Sequence, residues 1–129
     1  MVVRNYRKVA QVAAEAAADK KGRHILLLDI RKESDLADYM LIVGADSSAQ
    51  MTAIEDHVEH QLRDWGVAPL HRDGHANDRW LALDYGGLVM HILLPEAREF
   101  YRLEQIWENP KAVAWEKPTK KRSSKRRSK

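Results

Sequence analysis

From Arg79 to Leu94 the chain reads RWLALDYGGLVMHILL, two apolar runs joined by Gly86-Gly87. This pattern predicts a β-hairpin, because glycines reach the positive φ angles that a two-residue primed turn needs. The turn sets the register, pairing Tyr85 with Leu88, Asp84 with Val89, Leu83 with Met90, Ala82 with His91, Leu81 with Ile92 and Trp80 with Leu93. Period-2 alternation then gives one face to Leu81, Leu83, Tyr85, Leu88, Met90 and Ile92, which is predicted to be core. The other face carries Trp80, Ala82, Asp84, Val89, His91 and Leu93. A large aromatic beside a carboxylate and an imidazole makes a poor dry core, so this face is expected to be a working surface.

The rest of the chain follows the same logic. Tyr6, Val9, Ala13 and Ala16 recur at helical spacing, with Gly22 expected to end that helix. Ile25–Leu28 is a continuous apolar run, predicted as a strand buried on both faces. The polar stretch Arg31–Asp35 leads to a second strand over Tyr39–Val43, and Gly44–Ser48 is a turn in which Ser47 or Ser48 caps the next helix. That helix is expected to run to about Trp65 and to bury Met51, Ile54, Val58, Leu62 and Trp65 before Gly66 stops it. A short extended segment at Ala68–Leu70 and a polar loop at His71–Asp78 precede the hairpin. Pro95 opens a last helix with Phe100, Leu103, Ile106 and Trp107 on its apolar side. The order α-β-β-α-β-β-β-α predicts the α/β class, a small mixed β-sheet with helices packed against it.

Composition narrows the class. At 129 residues and 44% hydrophobic, the chain supports one domain with a modest core. Having no cysteine, it forms neither disulfides nor thiolate metal sites, which fits a reducing compartment. No apolar run approaches the roughly 20 residues of a helical membrane span. No signal-peptide h-region stands at the N-terminus, and Glu15 and Asp19 argue against a transit peptide, so a cytoplasmic location is expected.

The net charge of +3 conceals a split. Residues 111–129 hold nine Lys or Arg and one acid, net +8, while residues 1–110 hold 13 basic and 18 acidic side chains, net −5. The domain is therefore expected to span 1–110, followed by a basic, disordered tail over 111–129. In that tail Lys120, Lys121, Arg122, Lys125, Arg126 and Arg127 are expected to meet phosphate backbone.

Several polar groupings are candidates for chemistry. His57 and His60 lie three apart, on the border of the helix's core stripe and nearly opposite it, and a third metal ligand is missing; they read as helix surface, and no metal or other cofactor is expected. Asp73-Gly74 reads as turn chemistry. Gly44–Ser48, between a strand and a helix, invites a phosphate-cradle reading, but it lacks the glycine repetition and lysine of a P-loop. A nucleotidyltransferase would need paired carboxylates on the following strand, and Ala68–Leu70 carries none. Asp84 and His91 are diagonal neighbours on the hairpin and are expected to couple. That pair supports an alternative reading, a nucleotide- or phosphoester-processing enzyme, although no nucleophile lies beside it.

Several separated blocks, taken in order, resemble the ribosomal silencing factor family, also called the Iojap family. These are Asp29-Ile30 with Ser34 and Asp38-Tyr39; Ala53-Ile54 with Asp56-His57-Val58; and Gly66, Pro69-Leu70 and Asp73-Gly74. They continue with Trp80, Leu83-Asp84-Tyr85-Gly86 and His91, and with Arg98-Glu99-Phe100-Tyr101, Leu103-Glu104 and Ile106-Trp107. The chain departs from the family pattern at Ala37, where threonine is usual, and at Ala49-Gln50, where a basic pair is usual. Gly87 stands where an acid is common.

The resemblance implies a fold similar to the nucleotidyltransferase sheet without its catalytic residues. It implies a protein that is not an enzyme and has no catalytic residues; a monomer or weak homodimer is expected. Such a protein binds the large ribosomal subunit through large-subunit protein fourteen, blocks joining of the small subunit and so represses translation. Carried over residue by residue, the partner surface comprises Trp80, Asp84, Tyr85 and Gly86, with His91 beside them. The tail lies outside these blocks, and its charge predicts an added contact to ribosomal RNA.

Overall fold

The structure is a computed structural model that describes residues 5–74, 79–101 and 111–116. Its elements are α1 (Tyr6–Asp19), β1 (Arg23–Asp29), β2 (Tyr39–Gly44), α2 (Ser48–Arg63), β3 (His71–Asp73), β4 (Trp80–Asp84), β5 (Leu88–Leu93), α3 (Pro95–Tyr101) and β6 (Lys111–Ala112). The strands form one sheet in the order β3-β4-β5-β2-β1-β6. Among the described residues only β2 and β5 run parallel and every other neighbouring pair is antiparallel, so the sheet is mixed as the element order predicts.

Strand alternation divides the apolar residues between two cores. On one face Leu27, Tyr39, Leu41, Val43, Leu81, Leu83, Leu88, Met90 and Ile92 pack with α1 and α2. Alanines at positions 10, 13, 14, 16 and 17 are buried in α1 and let its backbone lie close to its neighbours. The opposite face holds a smaller core of Leu28, Ile30, Ala37, Met40, Ile42, Leu93 and, from α3, Ala97. Local chemistry supports both long helices. Asn5 Oδ1 accepts from the Lys8 N–H at 3.1 Å, and Ser47 Oγ accepts from the Gln50 N–H at 3.1 Å.

The hairpin register is the predicted one at every pair from Trp80–Leu93 to Asp84–Val89, and the Tyr85 N–H donates to the Leu88 carbonyl at 2.8 Å. The two glycines play different parts. Gly86 takes the positive φ, +97°, whereas a Cβ on Gly87 would stand 2.4 Å from Cγ and Cδ2 of Tyr6. Gly86 supplies a conformation and Gly87 a close approach.

Five expectations are corrected. Trp65 is 43% exposed, not core. α2 ends at Arg63, and Gly66 (φ +71°) closes it through Val67 N–H to Leu62 carbonyl and Gly66 N–H to Arg63 carbonyl bonds, so Trp65 has left the helical stripe. At the end of α1, Lys21 rather than Gly22 takes the left-handed φ, +65°. Gly22 is required by contact, because a Cβ there would stand 2.7 Å from Val43 Cγ1. The third strand forms at His71–Asp73 instead of Ala68–Leu70, recruited by pairing with β4. β1 is half-exposed over Arg23–Leu26, because β6 covers only its far end.

The fifth concerns the tail boundary. Lys111–Ala112 pairs with Leu28–Asp29, the Val113 N–H donates to the Leu27 carbonyl, and Gln11 Nε2 donates to the Ala114 carbonyl. Val113 and Trp115 pack on the main core, so 111–116 belongs to the folded body. Leu103, Ile106, Trp107 and the tail's Lys120, Lys121, Arg122, Lys125, Arg126 and Arg127 lie outside the described residues.

Candidate functional site

The hairpin face opposite α1 and α2 is not uniformly a surface. Leu93 is fully buried in the smaller core, and His91 is 8% exposed, while Trp80, Ala82, Asp84 and Val89 are half-buried. His91 sits on β5 between Ala82 of β4 and Ile42 of β2, near the middle of the sheet, which explains its burial. The exposed character is confined to β4 and the start of β5.

Trp80 and His91 form the face's central pair. The indole Nε1 donates to His91 Nδ1 at 2.9 Å, and the rings lie 5.6 Å apart between centroids at an interplanar angle of 48°. An indole N–H only donates, so Nδ1 accepts and the neutral ring carries its proton on Nε2. Burial pushes the imidazole pKa down from its ordinary 6.5 to about 4, so it is neutral at pH 7.

The expected coupling of Asp84 with His91 is not made. Asp84 Oδ1 turns to the hairpin tip, where it accepts from the Gly86 N–H at 2.8 Å, and the imidazole acceptor is taken by Trp80. The carboxylate therefore shapes the turn and does not orient a base. Tyr85 has its side chain in the core at 2% exposure, with its hydroxyl unpartnered among the described residues and its pKa raised by burial. Its backbone carbonyl accepts from the Tyr6 hydroxyl at 3.2 Å. Gly86 is half-buried at the tip.

Two exposed leucines, not singled out by the sequence pattern, lie on segments hydrogen-bonded to this hairpin. The Leu70 N–H donates to the Asp84 carbonyl at 2.7 Å, and its Cδ1 stands 3.7 Å from where a Cβ on Gly86 would lie. Leu36 is almost fully exposed on a loop tied to the hairpin by the Asp38 N–H donating to the Gly87 carbonyl at 3.0 Å. Leu36 had a signal, a leucine in a polar stretch, whereas Leu70 after Ala68-Pro69 had none.

The other candidates are structurally engaged. His57 Nε2 lies 3.2 Å from Asp19 Oδ2. Among the described residues no group of three or more His, Asp or Glu is placed to hold a metal ion. At Gly44–Ser48, Gln50 Oε1 accepts from the Asp46 N–H at 2.6 Å, and its Nε2 donates to the Lys20 and Lys21 carbonyls at 3.1 and 2.9 Å. Gln50 thus ties the end of α1 to the start of α2, and the Asp46 carboxylate in this turn pairs with Arg23 at 2.9 Å. Ala37 fills a place in the smaller core, and Ala49 is exposed. No helix among the described residues is long and apolar enough to cross a membrane.

Fold and face together define a single-sheet α/β protein, helices on both faces, that presents a tryptophan-bearing hairpin. The chain belongs to the ribosomal silencing factor family: the family described as "Ribosomal silencing factor during starvation" matches residues 3–129. A Chromobacterium violaceum relative named "Ribosomal silencing factor RsfS" is 33% identical over 115 residues, 87% of this chain and 94% of its own length. A Bacillus subtilis relative of the same name is 33% identical over 103 residues, 80% of this chain and 87% of its own. A crystal structure of a Chromobacterium violaceum protein superposes with a TM-score of 0.77 at 30% identity, covering 86% of this chain and 94% of that one.

Proposed function

We propose that this protein silences ribosomes in the cytoplasm by binding the large ribosomal subunit through large-subunit protein fourteen, which keeps the small subunit from joining. Trp80, Asp84 and Gly86 supply the contact, with Leu36 and Leu70 on the segments hydrogen-bonded to the hairpin. Tyr85 and His91 contribute from beneath the surface, because their side chains are buried. Family membership supports the role, and the observation that carries the choice of surface is Trp80, a half-buried indole held in place on a strand. Large aromatics with polar neighbours are the usual centre of a protein interface.

The mechanism needs no bond to be made or broken. A body of 14.9 kDa seated on the joining face excludes the other subunit by its volume, and the degree of silencing follows its occupancy. The basic tail, through Lys120, Lys121, Arg122, Lys125, Arg126 and Arg127, adds a sequence-independent contact to ribosomal RNA. Co-sedimentation with purified large subunits, followed by addition of small subunits, tests the proposal. Binding with a dose-dependent fall in joined ribosomes is expected, and undiminished joining at saturating protein overturns it.

A further inference from the structure

The geometry points to His91 as the residue that positions Trp80 for its partner, acting through the indole and not by contact. This rests on the reading of the hairpin face as the docking surface.

An indole has one hydrogen-bond donor and no acceptor, so a single fixed acceptor defines how the ring is turned about its own axis. His91 Nδ1 is that acceptor at 2.9 Å, and the tilted ring contact at 5.6 Å and 48° sets the second angle. The imidazole is itself packed in. It is 8% exposed, and its strand is paired on both sides, to Ala82 of β4 and to Ile42 of β2. Burial that keeps the ring neutral also keeps the Nδ1 lone pair available.

An anchor whose rotamer is set before encounter loses less freedom on binding, which is the advantage of a preorganised interface. A histidine buried this deeply has little surface to offer a ribosomal protein. Its influence on binding passes through the residue it holds. Phenylalanine in its place keeps a flat ring but offers no acceptor, whereas glutamine keeps an acceptor.

The test combines four chains, His91→Phe, His91→Gln, Trp80→Ala and the His91→Phe/Trp80→Ala double variant, with two readouts. In the free protein, the Trp80 indole N–H resonance is expected to move in His91→Phe and to return toward its original place in His91→Gln. Affinity for purified large subunits is expected to fall about tenfold in His91→Phe, the scale of a lost preorganised contact, and to recover in His91→Gln. In the Trp80→Ala background, His91→Phe is expected to have no further effect.

An unmoved indole resonance, unchanged affinity in His91→Phe, or additive losses in the double variant overturns the positioning role while leaving the docking surface standing. Undiminished binding by Trp80→Ala overturns the docking-surface reading, and the positioning role with it. Hydrogen exchange in the unsubstituted chain needs no variant. The Trp80 indole N–H is expected to exchange more slowly than that of the more exposed Trp65, and equal rates overturn the inference.

Discussion

Arg72 on β3 grips Glu55 on α2 with two arms of its guanidinium. Nη2 donates to Oε1 at 2.9 Å, Nε donates to Oε2, and the remaining arm, Nη1, donates to the Gly74 carbonyl at 2.7 Å. An edge strand of three exposed residues is thereby tied to the helix beneath the sheet. The carboxylate also holds the Arg72 pKa above its ordinary value, the bond to Glu55 being the larger cause.

The two partners are unequally buried, with side-chain exposures of 38% for Arg72 and 9% for Glu55, and that asymmetry is testable. Arg72→Ala leaves a buried carboxylate without its counterion, and a loss of about 2–3 kcal/mol is expected. Glu55→Ala is expected to cost less, because the freed arginine can turn to water. Urea unfolding of both variants decides it, and an equal or reversed order contradicts the account.

Trp80→Ala is expected to weaken binding to large subunits by about 2 kcal/mol or more while the fold survives. Leu83→Ala, on the fully packed face, is expected to lower stability by about 2–5 kcal/mol. Thermal unfolding and co-sedimentation of the two separate the roles. A Trp80→Ala protein that melts as readily as Leu83→Ala would make the tryptophan a core residue.

His91 predicts an acid-sensitive component of stability. The unfolded chain takes up a proton near pH 6.5, whereas the folded chain resists it until about pH 4. Over that window the unfolded state binds more protons, so stability is fully present above about pH 6.5 and falls by up to about 3 kcal/mol as pH drops toward 4. Urea midpoints across pH 4–7 are expected to fall less steeply in His91→Gln than in the unsubstituted chain. Identical slopes would remove His91 as the cause.

β6 lies between the rest of the domain and the basic tail. Cutting after Pro110 would remove the strand beside β1 along with Val113 and Trp115, so the informative truncation follows Glu116. Residues 117–129 carry eight Lys or Arg and no acid. Removing them is expected to flatten the salt dependence of binding, because fewer counterions are released, while blocking of joining persists at higher concentration. A binding series from low to physiological salt checks this. Equal slopes leave the tail uninvolved, and complete loss of blocking moves the main site onto it.

What the sequence made legible was whatever short-range pattern controls. The Gly86-Gly87 turn sets every pair of the hairpin, and Gly66 stops α2 through its own φ. The parts that were not legible depend on distant neighbours. Nothing local in His71–Asp73 marks a strand, which forms because β4 offers an edge, and nothing local in Lys111–Ala112 announces a return to β1. The candidate site divides the same way. Alternation placed His91 on the correct face, but its burial follows from a central position in strand order, which periodicity does not encode.

The contact between Gly87 and Tyr6 makes two positions 81 apart mutually dependent. No side chain fits at 87 while the Tyr6 ring lies where it does, and moving that ring breaks its hydroxyl bond to the Tyr85 carbonyl. A larger residue at 87 therefore requires that the Tyr6 ring be absent or lie elsewhere. Across the family, the residues at these two places are expected to change together, so that a glycine at one is a record of the aromatic at the other.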